Sequence, residues 1–256
     1  MKARGVWAGA LTHCFFLTNV FCASFFLPIY FQAVRGASPM MSGVYVLASI
    51  LSQLLAVPPT GKLETAVQRT GYVIPFAIAA AIIGAISNGL YSTSSPSTST
   101  SQWIGYQILN GVGRGVGMPL AVIAVQASLN HADIAMGNSI VMFAQSLGTA
   151  ILLAVSDTLF EGGLESELPK HAPLVDSSAV MAAGATHFRD IVSAQDLPGV
   201  LVAYSLAIDR VFYLAAGISG LAVFTSLFLG WVNIRHPQRP ENDAILLRDL
   251  GAQGGN

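Results

Sequence analysis

Apolar residues gather into six stretches, each near the length that crosses a bilayer, and polar residues collect between them. The stretches run over residues 10–32, 40–57, 72–92, 103–129, 136–160 and 211–233. A membrane helix needs about 20 predominantly apolar residues, so the pattern predicts an all-α, polytopic membrane protein with six transmembrane helices. The span at 40–57 is the shortest, because Pro58-Pro59 interrupts it. The charge-free tract from Ser92 to Gln102 reads as an exposed loop between the third and fourth spans. Residues 161–210 form the one long connection, an outside loop. Its middle, Ser177 to Ser193, has the spacing of an interfacial amphipathic helix with Val180, Met181, Phe188 and Ile191 inward. Pro198-Gly199 is expected to break it, and Val200 to Ile208 to lead into the last span. The bundle thus occupies residues 1–233, and residues 234–256, with Pro237 and Pro240, read as a polar cytoplasmic tail.

The fourth stretch is the most unusual. It carries Gly111, Gly113, Gly115 and Gly117 at alternate positions, then Pro119, with Arg114 as its one charge. Each glycine costs about 1 kcal/mol in a helix interior, and a charge in lipid costs about 2.5 kcal/mol or more. At about 100° per residue, Gly111 and Gly115 fall on one flank and Gly113 and Gly117 on the other, so neighbouring helices can approach closely on both sides. Between the flanks runs a polar stripe of Gln107, Asn110, Arg114 and Met118. The stripe predicts the wall of a polar cavity; the plainer reading is that Arg114 pairs structurally and the glycines only pack. The run lacks the G-x-G-x-x-G spacing of a nucleotide site.

Weaker stripes mark other spans. They are Asn138, Met142, Gln145, Thr149 and Ser156 on the fifth, Ser42, Tyr45, Ser49 and Gln53 on the second, and Thr12, Asn19, Cys22 and Tyr30 on the first. Their hydroxyl, amide and aromatic groups suit an uncharged or amphiphilic organic molecule better than a bare ion. The same residue types also serve interhelical hydrogen bonds.

Composition sharpens the class. Of 256 residues, 53% are hydrophobic and only 10% charged, with a mean hydropathy of +0.61; soluble domains carry about 25% charged residues. The net charge of −1 argues against a nucleic-acid partner. Lys2, Arg4, Lys62, Arg69, Arg235, Arg239 and Arg248 all fall on one side of a six-span arrangement, which places both termini in the cytoplasm. Cys14 and Cys22 read as packing residues, and no metal spacing or signal-peptide pattern occurs. No catalytic constellation is visible: the five histidines are scattered, no G-x-S-x-G elbow or P-loop exists, and Asp157 is the one carboxylate inside a predicted span. The expectation is therefore no enzyme, no metal and no cofactor.

Several runs resemble a known family. They are Phe26-Leu27-Pro28-Ile29-Tyr30-Phe31-Gln32-Ala33-Val34-Arg35-Gly36, then Ser38-Pro39 with Ser42-Gly43-Val44-Tyr45, and Ser49-Ile50-Leu51-Ser52-Gln53-Leu54. Trp103-Ile104-Gly105-Tyr106-Gln107-Ile108-Leu109 with Gly111 to Gly117, Ile123-Ala124-Val125-Gln126 and Leu197 to Tyr204 continue the likeness. Together they resemble the C-terminal half of the fungal drug:proton antiporters of the major facilitator superfamily, the fourteen-span toxin and multidrug efflux pumps.

The resemblance implies a plasma-membrane exporter of a small organic toxin, drug or secondary metabolite, driven by the proton gradient. Gln107, Asn110, Arg114, Met118, Asn138, Gln145, Thr149, Gln53 and Asn19 would line the substrate path. Arg114 would serve as a structural or gating charge paired with backbone carbonyls or a partner half. The first-half signatures and the membrane-embedded acidic residues of proton coupling have no counterpart here. Such pumps work with two halves, so the resemblance also implies a second half or a homodimer in the bilayer. The alternatives are a truncated half that does not transport and a membrane partner that regulates a full transporter.

Overall fold

The computed structural model describes residues 2–56 and 72–229, and the regular structure among them is all helical. The order is α1 (Lys2–Ile29), a π-helical turn (Tyr30–Val34), α2 (Pro39–Ala56), α3 (Ile74–Tyr91), α4 (Thr100–Ala127), a 3₁₀ turn (His131–Asp133), α5 (Ile134–His171), α6 (Ser177–Ile191) and α7 (Leu197–Leu227). Six of these segments are long and apolar enough to cross a membrane: Arg4–Val34, α2, α3, α4, α5 and α7. Helices α2, α4, α1 and α5 stand side by side in that order, each packed on the next, while α3 and α7 pack on each other and close the back. The outward surface is apolar, with Leu55, Phe143, Tyr213 and Phe224 exposed, as a lipid-facing or partner-facing surface requires.

Local sequence explains the breaks. Pro28 lies inside α1 and has no N–H to give the helical ladder. The π turn follows it, closed by Arg35 N donating to Tyr30 O at 3.3 Å. Ser99 and Gln102 form a capping box that starts α4. The buried aromatic groups concentrate at one end, where Phe31 lies 4.9 Å from Trp103 and Phe188 lies 4.9 Å from Tyr204, centre to centre.

Three expectations need correction. The span predicted at 136–160 runs from Ile134 to His171. Its charges were the signal for a loop, but Glu161, Leu164, Glu165, Glu167 and Leu168 are good helix formers, and Gly162 and Gly163 do not interrupt them. The span predicted at 211–233 begins at Leu197 instead, because Pro198 occupies the first turn of α7, where a missing N–H costs nothing. Described helix ends at Leu227, and residues 230–233 of that span lie outside the described residues. The 161–210 connection is therefore mostly helix.

Within it, α6 forms where the amphipathic pattern predicts, with Val180 and Phe188 buried and Met181 half-buried, but Ile191 is 57% exposed. Gly184, at φ +69°, breaks the helical phase between them. Asp176 caps α6 by accepting from Ser178 N at 2.9 Å and Ser178 Oγ at 2.7 Å, and these bonds hold its carboxyl below the usual carboxylate range. The third correction concerns the serine loop. Ser92, Ser94 and Thr98 are buried in it. The part of the second span beyond Ala56 and the 234–256 tail lie outside the described residues.

Candidate functional site

The glycines of α4 decide where its polar stripe points. A side chain at Gly111 would meet α2, with a Cβ 2.5 Å from Ser49 O and 2.8 Å from Gln53 N. One at Gly113 would sit 3.1 Å from Ala80 O of α3, and one at Gly117 would strike Phe16 of α1. Gly115 is buried with them. Gly111, Gly113 and Gly117 thus each face a different helix, α2, α3 and α1. Because the neighbours close in on both sides of the stripe, the stripe faces the interior of the bundle. Gln107 and Asn110 are fully buried, and Arg114 is only 3% exposed.

The stripe forms a hydrogen-bonded seam. Gln107 Oε1 accepts from Ser49 N at 3.2 Å, and Ser52 Oγ donates to Gln107 O at 3.4 Å. Arg114 Nη2 donates to Ser49 Oγ, and Nη1 to Val20 O of α1 at 3.5 Å. Asn110 Nδ2 donates to Ser87 Oγ of α3 at 2.9 Å. Asn88 Nδ2 then donates to Asn19 Oδ1 of α1 at 2.9 Å and to Ser219 Oγ of α7 at 3.1 Å. Five spans, α1, α2, α3, α4 and α7, are tied together in this way.

Four polar atoms stay buried without a partner beside these bonds: Gln107 Nε2, Asn110 Oδ1, Arg114 Nε and the hydroxyl of Tyr91. Tyr91 acts electrostatically on Arg114. Among the described residues no carboxylate pairs with Arg114. A buried cation without a counter-charge is costly, and unpaired polar atoms inside a fold call for an explanation. Their donors and acceptors suit water or the polar end of a neutral molecule.

The other predicted residues do not join this seam. Thr149 of α5 accepts from Thr18 Oγ1 at 3.4 Å, and Asn138 Oδ1 accepts from Gln126 Nε2 at 3.3 Å. Gln145 is half-buried and hydrogen-bonded to His13 of α1. The His13 ring also meets Met118 O through Nδ1 at 3.3 Å. Gln53 and Met118 are half-buried, and Pro119 lies within α4 without ending it. Within this bundle the stripes divide into separate interhelical ties. His13 and Asn88 escaped the sequence reading. The i, i+3 spacing of Asn88 with Tyr91 on the third span was the available signal.

The opposite end holds a second polar assembly. Tyr30 Oη donates to Ser95 O at 2.8 Å, Arg35 Nη1 to Pro96 O at 3.1 Å and Thr98 O at 3.0 Å, and Ser205 Oγ to Ser94 O at 2.7 Å. These bonds draw the serine loop onto the bundle. Arg189 of α6 donates to Ala33 O at 2.7 Å, fastening α6 there as well. Glu167 of α5 meets Lys170 at 2.9 Å, His171 at 3.6 Å and Arg210 of α7. Asp209, counted in the connection by sequence, lies inside α7, so Asp157 is not the one carboxylate within a span.

The comparison with known proteins follows from this architecture. The sequence profile of the Major Facilitator Superfamily matches residues 9–165. The chain belongs to that superfamily. It is 44% identical to the efflux pump mlcE of Penicillium citrinum over 245 residues, which cover 94% of this chain and 44% of that protein. It is 42% identical over 240 residues to the MFS-type transporter pigP of Monascus ruber, covering 93% of this chain and 42% of that one. The MFS-type transporter calB of Penicillium decumbens is 42% identical over 245 residues, with 94% and 43% covered. The chain is therefore a multi-pass membrane protein of a transporter family, whose members are not enzymes, and it spans less than half the length of these relatives.

Proposed function

We propose that this facilitator bundle acts as one half of an efflux transporter that exports a small, amphiphilic organic molecule by proton antiport across the plasma membrane. The observation that supports this reading best is the coverage. Nearly the whole chain matches proteins named as efflux pumps or transporters, yet it accounts for 42–44% of each of the three compared. Facilitator-type transporters bind substrate between two six-helix bundles that rock against each other. A six-helix bundle of this length thus works with a second one, across the row α2–α4–α1–α5. Both termini would lie in the cytoplasm, as the distribution of Lys and Arg predicts.

The same coverage supports the second reading, a half that does not transport but sits beside a full transporter. Everted membrane vesicles from a fungal host expressing the chain separate the two. With an acidic lumen, they are expected to accumulate the amphiphilic dye rhodamine 6G above vesicles from the same host without the chain. Equal accumulation rejects the export reading and leaves the non-transporting half.

A further inference from the structure

We propose that the groove between the start of α1 and the end of α7 binds an anionic diacyl phospholipid, its headgroup on Arg4 and one acyl chain along the helices. The groove encloses about 550 Å³ and is lined by Arg4, Trp7, Ala8 and Leu11 of α1, with Thr225 of α7 and Phe228 just after it. Positions 4, 7, 8 and 11 recur at i, i+3, i+4 and i+7, so they share one face of α1. Gly5 and Gly9 lie on another face. A side chain at Gly9 would strike Val125 of α4, and a Cβ at Gly5 would stand 3.4 Å from Ser128 Oγ. The end of α4 therefore occupies the glycine face, and the Arg4 face turns away from it.

The groove is polar at one end only. Toward its far end, Thr12 Oγ1 donates to Thr225 Oγ1 at 2.8 Å, and Thr225 Oγ1 donates to Ala222 O at 3.2 Å. Both hydroxyl hydrogens are thus used within the protein, and the walls offer an occupant apolar contact. At the near end Arg4 is exposed, and among the described residues no carboxylate pairs with it. Beside it Trp7 is 60% exposed, and its amphipathic ring is of the kind that settles at headgroup level.

The occupant follows from this charge pattern. Seven residues separate Arg4 from Leu11, about 10 Å along the helix axis, which is most of the roughly 15 Å half-thickness of a bilayer core. A ligand must bring an anion to Arg4 and about 10 Å of hydrocarbon behind it. A free phosphate leaves the apolar walls uncovered, and a neutral lipid leaves Arg4 without a counter-charge. An anionic phospholipid satisfies both, because the guanidinium fork takes two oxygens of a phosphate at once. The site requires a chain embedded in a bilayer and is independent of export.

The test reads Trp7 fluorescence in the full chain, with Trp103 and Trp231 replaced by phenylalanine, in phosphatidylcholine vesicles. A small fraction of the lipid carries brominated chains, which quench an indole that they touch. That fraction is phosphatidylserine in one set of vesicles and phosphatidylcholine in the other. Brominated phosphatidylserine is expected to bind, and so to quench, about fivefold more effectively at equal mole fraction. Arg4→Gln is expected to bring the two lipids level, and Arg4→Lys to keep the preference. Glycerophosphoserine, the same headgroup without chains, is expected not to compete. Equal quenching by the two lipids with Arg4 in place overturns the proposal, and so does a preference that survives Arg4→Gln. Competition by glycerophosphoserine overturns it as well, because the site then takes the headgroup alone. Weak quenching by both lipids also overturns it, because another occupant, such as residues 230–256 of this chain, then covers Trp7.

Discussion

Replacing Gly111 by leucine is expected to separate α2 from the bundle. A Cβ at that position already stands 2.5 Å from Ser49 O and 2.8 Å from Gln53 N, both of the α2 backbone, which cannot swing aside as a side chain can. The two helices must move apart. That also breaks the bonds of Ser49 N and Ser52 Oγ to Gln107 and of Arg114 to Ser49 Oγ. Overpacking of this kind costs about 3 kcal/mol, against a total stability of roughly 5–15 kcal/mol for a folded protein. Gly105, on the same helix, is the control, since a Cβ there meets nothing within 4 Å. Thermal unfolding of the purified chain in detergent should show a large fall in midpoint for Gly111→Leu and almost none for Gly105→Leu. Equal midpoints for the two variants would mean that close approach at Gly111 does not hold α2.

Replacing Arg114 by methionine is expected to dissociate stability from transport. The guanidinium is almost wholly buried, has two acceptors and no carboxylate, and leaves Nε unpaired. A buried charge so poorly compensated adds little stability, and an apolar side chain of similar volume is commonly neutral or stabilising there. The Arg114→Met chain should therefore unfold at the same temperature or higher. Export should fall by about tenfold or more, which corresponds to roughly 1.4 kcal/mol, because the link from α4 to both Ser49 of α2 and Val20 of α1 is gone. Arg114→Lys keeps the charge, but its single ammonium replaces a planar fork, so it should export at an intermediate rate. Wild-type dye accumulation by Arg114→Met would remove Arg114 from the mechanism.

The six spans were legible because hydrophobic length is a strong signal and the bilayer sets it. The glycines of α4 have a local cause in the structure, since a Cβ at Gly111 would stand 2.5 Å from Ser49 O and one at Gly117 would strike the Phe16 ring. The direction of the stripe was not legible. Helical spacing places Gln107, Asn110 and Arg114 on one face, but the wheel does not say which side neighbouring helices leave open. Contacts with α2, α3 and α1 settle that, turning the face inward.

The end that carries the serine loop failed for a different reason. Charge in Glu161 to Arg210 looked like solvent-exposed loop, yet α5 and α7 continue beyond the apolar stretches as helices whose charges pair with each other, as Glu167 and Arg210 do. That continuation carries Asp209 into a span. The serine loop was misjudged similarly: its backbone carbonyls are fixed by Tyr30, Arg35 and Ser205, partners far away in sequence.

The central claim is that the row α2–α4–α1–α5 meets a second bundle, whereas the back of α7 meets lipid. Photo-crosslinking in membranes, with benzoylphenylalanine at Ile108 of α4 or at Phe224 of α7, tests it directly. Both positions are open on the single bundle, at 46% and 65% exposure. The account predicts a protein adduct from position 108, identified by mass spectrometry as a second six-helix bundle, and lipid adducts alone from position 224. Lipid adducts alone from position 108 would contradict it.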